Sequence, residues 1–297
     1  MTLDITEFKR SRVYEVEQTI PETVDDIAEL RLLDKRFEKV ETIWGRVAAV
    51  LTVCTVLGFV GFVFAQQTVL GLVAAGLLVT SVIAWVMKAK WGRLNTEDRR
   101  YELLEELLKL LKVDMAETEE VRIRLDLSEP DASHKYQRKA KVGRWTVRYF
   151  VDPWLRLEGR LLDGTRFLVT MIAKTQQRTR TKRSRSGKTK HKRKTKFGAE
   201  ALVTLKVKPA RYRHLASLSE DAIGALQLTE DTERKQMTID ERGLGLRVKL
   251  SPSWRATLPD ESSRAASGTH ALAMMFLSLY QILNLSRAIE KKAGGAR

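Results

Sequence analysis

A single cysteine, Cys54, stands in a chain of 297 residues, so no intrachain disulfide can form and nothing points to an oxidising compartment. The four histidines, His134, His191, His214 and His270, share no i, i+4 spacing and no C-x-x-C neighbour, which leaves no metal-ligand pattern. No G-x-S-x-G, H-E-x-x-H or protein-kinase motif set is present. Gly187-Lys188-Thr189 matches the end of a phosphate-binding loop, but the glycine that loop needs five places earlier is Lys182. Without it the backbone N–H groups cannot curl round a phosphate, and residues 179–196 are polar where such a loop follows a buried strand. No cofactor is expected.

Charge is missing from two stretches. Residues 47–65 (VAAVLTVCTVLGFVGFVFA) and 69–87 (VLGLVAAGLLVTSVIAWVM) are each nineteen residues without a charged group. At 1.5 Å per residue each makes a helix about as long as the ~30 Å hydrocarbon core of a bilayer. Only Gln66, Gln67 and Thr68 separate them, so the two helices are expected to lie antiparallel as a hairpin. A signal peptide is excluded, because 46 residues rich in charge precede the first span and a second span follows at once. The spans carry no ionisable side chain except the Cys54 thiol, and a proton or ion path needs such groups, so the hairpin reads as an anchor.

Basic residues flank one end of that hairpin. Lys35, Arg36, Lys39 and Arg46 precede the first span, and Lys88, Lys90, Arg93, Arg99 and Arg100 follow the second, while the connecting turn is uncharged. Both termini are therefore expected in the cytoplasm, with the protein in the cell inner (plasma) membrane. Trp44, Arg46, Trp85, Lys88 and Trp91 mark the expected membrane interface, since indole rings and basic side chains favour the headgroup level. Gly58, Gly61, Gly71 and Ala75 offer small surfaces for helix contact, the last two as a small-x-x-x-small pair.

Outside the spans, Val24, Ile27, Leu30, Phe37, Val40 and Trp44 recur near helical spacing, and Leu104, Leu107, Leu108 and Leu111 form a second stripe after a cap at Asn95 or Thr96. These predict two stalk helices, 21–46 and 88–114, that continue the hairpin as an antiparallel pair broken near Gly92. Residues 1–20 include a candidate strand, RVYEVEQTI.

After Met115 the apolar period changes from helical to alternating. VRIRLDL, RWTVRYFV, WLRLEGRLL, RFLVTMIAK, EALVTLKVK and the pair within MTIDERGLGLRVKL read as strands. Asp163-Gly164 suits a two-residue hairpin turn, and Asp152, before Pro153, also reads as a turn former. Residues 115–297 are thus expected to form a cytoplasmic antiparallel sheet, or partly open barrel, of six or seven strands. A C-terminal helix at 269–292, capped by Ser267-Gly268-Thr269, is polar for a third span, with Ser278, Gln281 and Asn284 inside it, and should pack on the sheet or bury itself in a homo-oligomer. The fold class is membrane-anchored α+β: a two-helix transmembrane hairpin with a helical stalk, and a cytoplasmic β-rich domain with a long basic hairpin.

Acidic residues are absent from 178–196, and this segment holds most of the net charge of +16. It carries eleven cations: Arg178, Arg180, Lys182, Arg183, Arg185, Lys188, Lys190, Lys192, Arg193, Lys194 and Lys196. By contrast residues 1–46 carry 8 basic and 11 acidic groups, and residues 88–120 carry 7 and 9. With a two-residue turn at Ser186-Gly187, Arg183 would face Lys190 and Arg180 would face Arg193. Like charges so placed are destabilising, so the tip is expected to fray unless a polyanion neutralises it. Three readings stay open: a solvated loop that aids solubility, a site for nucleic-acid backbone, and a site for anionic lipid headgroups. The tip has no aromatic residue between Lys174 and Lys196, which argues against base stacking within it. The expected function is electrostatic capture of a polyanion by a membrane-bound scaffold or tether. The alternative is a membrane-bound enzyme with an unrecognised site on the sheet, which a deep polar pocket away from the hairpin would favour.

Overall fold

The computed structural model describes residues 8, 10–65, 68–92, 98–183, 187–218, 222, 224, 226–257 and 266–295. Arg185, Ser186, the Gln66-Gln67 link, Arg93, Asn95 and Thr96 lie outside the described residues. The chain divides into two units, one formed by residues 26–98 and the other by residues 1–25 with 99–297.

The first unit is built from two long helices. Helix α1 (Ile20–Ala65) runs unbroken through 46 residues, so the expected first stalk and first span are one continuous rod. Helix α2 (Thr68–Gly92) ends at the glycine where a break was expected. The two pack antiparallel through small side chains. Gly58 meets Ala74 at a distance that leaves room for ordinary contact, Gly71 lies against the ring of Phe62, and Thr52 Oγ1 and Ser81 Oγ share a 2.9 Å hydrogen bond. Ala48, Ala74, Ser81 and Ala84 are buried, whereas Ala75 is exposed, so the contact stripe runs through Ala74. Close backbone approach with few large side chains is how helices associate where no water drives them together.

The outward faces of this pair are apolar. Phe64 is 86% exposed, Leu72 is 75% and Leu57 is 65%, and valines at 50, 53, 56, 63, 69, 79, 82 and 86 are exposed with them. An apolar surface this continuous is not left to water by a soluble monomer. Among the described residues three helices are long and apolar enough to cross a membrane: α1, α2 and the C-terminal helix described below. The third differs in that 44% of its most apolar stretch is buried within the protein, against 6% and 17% for α1 and α2.

The second unit is an open antiparallel sheet of eight strands: β1 (Val13–Thr19), β2 (Glu120–Asp126), β3 (Tyr136–Val142), β4 (Trp145–Arg160), β5 (Arg166–Arg183), β6 (Thr189–Lys206), β7 (Glu233–Asp240) and β8 (Gly243–Leu250). Their order is β1-β2-β4-β5-β6-β8-β7, with β3 paired to the first half of β4. RWTVRYFV and WLRLEGRLL are one sixteen-residue strand, bent at a bulge between Pro153 and Leu155, where proline can omit its ladder hydrogen bond. The expected two-residue turn at Asp163 is a wider loop between Arg160 and Arg166. Within it Thr165 N donates to Asp163 Oδ1 at 2.8 Å, and Gly164 takes φ +84°.

Alternation sorts the strands into two faces. One rung, Ile123–Leu157–Val169–Val203–Leu246, crosses five strands and every member is fully buried. At about 1.5–3 kcal/mol per buried aliphatic side chain, rows like this hold the sheet together. They are covered by helix α3 (Asp98–Lys112) and helix α4 (Gly268–Gly295). Leu103, Leu104, Leu107, Leu108 and Leu111 are buried on α3, and Leu272, Met275, Leu279, Ile282 and Leu283 on α4. Phe276 of α4 meets Phe167 edge to face at 5.8 Å. The expected 88–114 stalk is therefore two helices, and the leucine stripe of the second is the lid of the sheet's core. Ser267 accepts from the backbone N–H of His270 at 3.1 Å and so caps α4.

Candidate polyanion-binding face

β5 and β6 pair over their whole length, from Arg166↔Lys206 to Arg183↔Thr189. This register differs by one residue from that of a two-residue turn: Arg180 faces Lys192, Lys182 faces Lys190, and Arg178 faces Lys194. A one-residue slip moves every side chain to the opposite surface, so the consequence is large. Six cations in three rungs fall on one face, while Thr179, Thr181, Thr189 and His191 take the other together with Arg183 and Arg193. The alternating threonines favour extended chain, and the ladder stays paired up to Arg183 where fraying was expected. The Cβ atoms of opposed cations are about 5 Å apart across such a ladder, and successive rungs about 7 Å apart along it.

Ten of the eleven predicted cations are among the described residues, Arg185 being the exception. None of the ten is in an ion pair with a carboxylate among the described residues. Lys182, Arg183, Lys188, Lys190, Lys192, Arg193, Lys194 and Lys196 are exposed, and Arg178 and Arg180 are half-buried. The tip thus presents uncompensated charge, which raises the local concentration of any polyanion.

Neighbouring strands enlarge this face. β3, unforeseen from the sequence, adds Arg138 to it and places Lys139 and Lys141 on the reverse. β4 lies beside β5, with Val147 opposite Arg178 and Tyr149 opposite Gln176. The guanidinium of Arg180 stacks 4.7 Å from the ring centre of Trp145, and that of Arg138 5.0 Å from Tyr149. Two half-buried aromatic rings therefore sit on the same surface as the basic rungs. The tip itself has no aromatic, but the face it belongs to has two. Reading one hairpin alone missed them, and the alternation within RWTVRYFV, with Trp145 and Tyr149 four apart, was the available signal.

The other predicted positions fall elsewhere. Trp44, Arg46, Trp85, Lys88 and Trp91 gather toward one end of the helix pair, where Gly45 lies against Lys88. Lys88 Nζ is 5.2 Å above the Trp85 ring, Trp85 Nε1 donates to Thr52 Oγ1 at 3.1 Å, and Trp91 packs on Phe37. Arg46 is exposed.

Asp152 is no turn former. It is fully buried within β4, with Arg100 Nη2 2.9 Å from Oδ2 and Lys135 Nζ 2.8 Å from Oδ1, the latter a charge contact outside hydrogen-bond geometry. Lys135 also lies 3.2 Å from Asp126, and Arg100 donates to the Asp126 carbonyl and stacks on Trp154. Burial raises the Asp152 pKa against the pull of both cations. Asp126 is partly desolvated too, yet two hydrogen bonds from Ser128 and the charge of Lys135 hold its pKa below the ordinary value. Both cations are spent on the carboxylates they neutralise, so the cluster is structural.

An apolar cavity of about 470 Å³ opens beside α3 and α4, lined by Leu107, Leu111, Leu162, Phe276 and Tyr280 with Asp114 and Asp163 at its edge. Asp163 is engaged by Thr165, and desolvation pushes the Tyr280 hydroxyl pKa upward, away from acid–base use near neutrality. A polar cleft of about 330 Å³ has Arg122 paired with Glu17 and Arg156 with Glu158. Among the described residues no group of His, Cys, Asp and Glu could hold a metal ion. Compared with known proteins, the chain matches no family model, no curated sequence and no solved structure.

Proposed function

We propose that this chain is a two-pass membrane protein whose sheet unit captures a polyanion on its basic ribbon face, serving as a tether or scaffold at the inner membrane. Helices α1 and α2 supply the anchor. Their apolar perimeter supports this, and so does the tryptophan and lysine belt at one end. The basic flanks support a cytoplasmic position for that end and for the sheet unit. Helix α4 is also long and apolar enough to span, but its apolar stripe is used in the sheet's core.

The observation that carries the binding reading is the row of three like-charged rungs, Arg178/Lys194, Arg180/Lys192 and Lys182/Lys190, with no carboxylate paired to them among the described residues. Like charges opposed across a ladder weaken it. A solubility tail would gain nothing from holding them in register. A chain of phosphates would be met at a regular spacing, and its counterions released.

The test is salt-dependent binding by the full-length protein in zwitterionic nanodiscs, beside a variant with Arg178, Arg180, Lys182, Lys190, Lys192 and Lys194 changed to Gln. Binding of polyphosphate or nucleic acid that weakens with salt and is lost in the variant supports the reading. Equal binding by both proteins refutes it. Extraction of the full-length protein from membranes by alkaline carbonate would refute the anchor.

A further inference from the structure

The face that holds the basic rungs also holds two aromatic rings, and the pattern continues row by row. Val142, Trp145, Arg180 and Lys192 make one row, Ala140, Val147, Arg178 and Lys194 the next, and Arg138, Tyr149, Gln176 and Lys196 a third. Aromatics therefore lie toward the β3–β4 side, and cations toward the β5–β6 side, of one four-stranded surface. Rings on a sheet two rungs apart are about 14 Å apart along the strand. Trp145 and Tyr149 stand in that relation, and the one row between them brings Arg178 and Lys194 alongside.

We infer that this surface binds single-stranded nucleic acid, with phosphates on the β5–β6 cations and bases on Trp145 and Tyr149. The inference rests on the proposed polyanion capture and names its ligand class. Each base has a π face that stacks on an aromatic ring whatever its identity, while the backbone needs a basic track beside the rings. A duplex hides its base faces, so it would use the cations and leave the rings idle. A bilayer surface presents no stacking partner. Anionic headgroups would be met by the cations alone and would leave the two rings without a role.

Arg180 and Arg138 already occupy the ring faces as guanidinium stacks. The Nε of Arg180 is covered there without a hydrogen-bond partner. A base arriving on Trp145 displaces that guanidinium toward a phosphate, where its donors find acceptors. The guanidinium thus holds a flat slot open without filling it with an apolar group.

The test uses the full-length protein in zwitterionic nanodiscs with three probes: labelled oligouridylate, polyphosphate, and vesicles of phosphatidylglycerol in phosphatidylcholine. The variant Trp145→Leu/Tyr149→Leu should bind oligouridylate roughly 10- to 100-fold more weakly and polyphosphate unchanged, because only the first probe can stack. Trp145→Phe/Tyr149→Phe should restore most of the oligouridylate affinity. Unchanged polyphosphate binding also certifies that the Leu variant is folded. Equal losses for both probes, or none for either, overturn the stacking role and leave polyanion capture standing. Binding of the vesicles with none of oligouridylate assigns the face to lipid and overturns the inference. Failure of the wild-type protein to bind any of the three overturns the proposed function itself.

Discussion

The sheet unit carries two clusters of cations that use the same side chains to opposite ends. At Asp152, Arg100 and Lys135 are only 3% exposed and each finds a carboxylate within 3 Å. On the β5–β6 ribbon six cations stand in register in or near solvent, with no carboxylate partner among the described residues. Burying a charge is costly unless it is neutralised in place, so the first cluster must be complete for the fold to stand. Leaving a charge in water costs little, so the second is free to meet a partner from outside. Position in the sheet decides between the two fates: Asp152 and Lys135 lie against the core, and the ribbon runs beyond the helices that cover it.

The largest effect should follow from breaking the buried cluster. Asp152→Ala removes the carboxylate that Arg100 meets at 2.9 Å and leaves Lys135 with Asp126 alone, and should lower unfolding free energy by about 3–5 kcal/mol in denaturant titration. Replacing the closest pair together, Asp152→Leu with Arg100→Met, should recover most of that loss, because Lys135 keeps Asp126 as its partner. A double variant as weak as the single one would mean that packing on Trp154, and not charge, holds this site.

The ribbon should respond the other way. Changing the exposed Lys182, Lys190 and Lys192 to Gln should leave the unfolding free energy within about 0.5 kcal/mol of wild type, as for most surface changes. The same variant should bind polyanions more weakly, and the slope of log affinity against log salt should flatten by roughly 0.7 for each single-strand phosphate that is no longer neutralised. A marked loss of stability would make the two clusters alike and remove the contrast.

How much of this was readable in the sequence depends on whether a feature is local. The two helices of the anchor unit show themselves as uncharged runs, and the core strands as alternation, because each pattern lies within twenty residues. The strand YQRKAKV does not, since all its residues but Ala140 are exposed and its strand character comes from pairing with β4. Asp152 looked like a turn former because its partners are 52 and 17 residues away, at Arg100 and Lys135. The ribbon's eleven cations were plain to see, but which of them share a face depends on a register that one residue of loop length changes. Trp145 and Tyr149 joined the site only when β4 was known to lie beside β5.

A smaller effect is expected on pH. Burial raises the Asp152 pKa above the ordinary 3.8, so the folded protein holds this proton more tightly than the unfolded chain. As pH rises from 3.8 through the folded value, that preference is lost and stability falls. Asp126, held below 3.8, acts in the window beneath: its contribution is present above 3.8 and is lost as pH falls through its folded value. The two should give a local maximum of stability near 3.8. In Asp152→Asn the limb above 3.8 should flatten while the limb below remains, which stability curves of the two proteins across pH 2–7 would show. An unchanged upper limb would mean that another group sets it.

The smallest effect should come from Glu233, which sits in water between Lys235 and Lys249, each 2.8 Å away. Their hydrogen bonds and charges hold its carboxyl down to about 2, so any stability it lends is present above the ordinary 4.5 and fades as pH falls toward 2. Yet the group is fully exposed, where solvent and salt screen such pairs. Glu233→Gln should therefore leave the unfolding midpoint at pH 7 within error, and raising salt should abolish whatever difference remains. This null result sharpens the contrast between the two cation clusters. If a doubly paired surface carboxylate adds nothing measurable, then exposed charge on this sheet is not what keeps it folded. The ribbon's cations, with no pairing even of this kind, can then be neutralised to test binding without disturbing the fold. A clear shift in Glu233→Gln would instead show that surface charge is coupled to the sheet's stability, and the binding variants would each need a matched stability control.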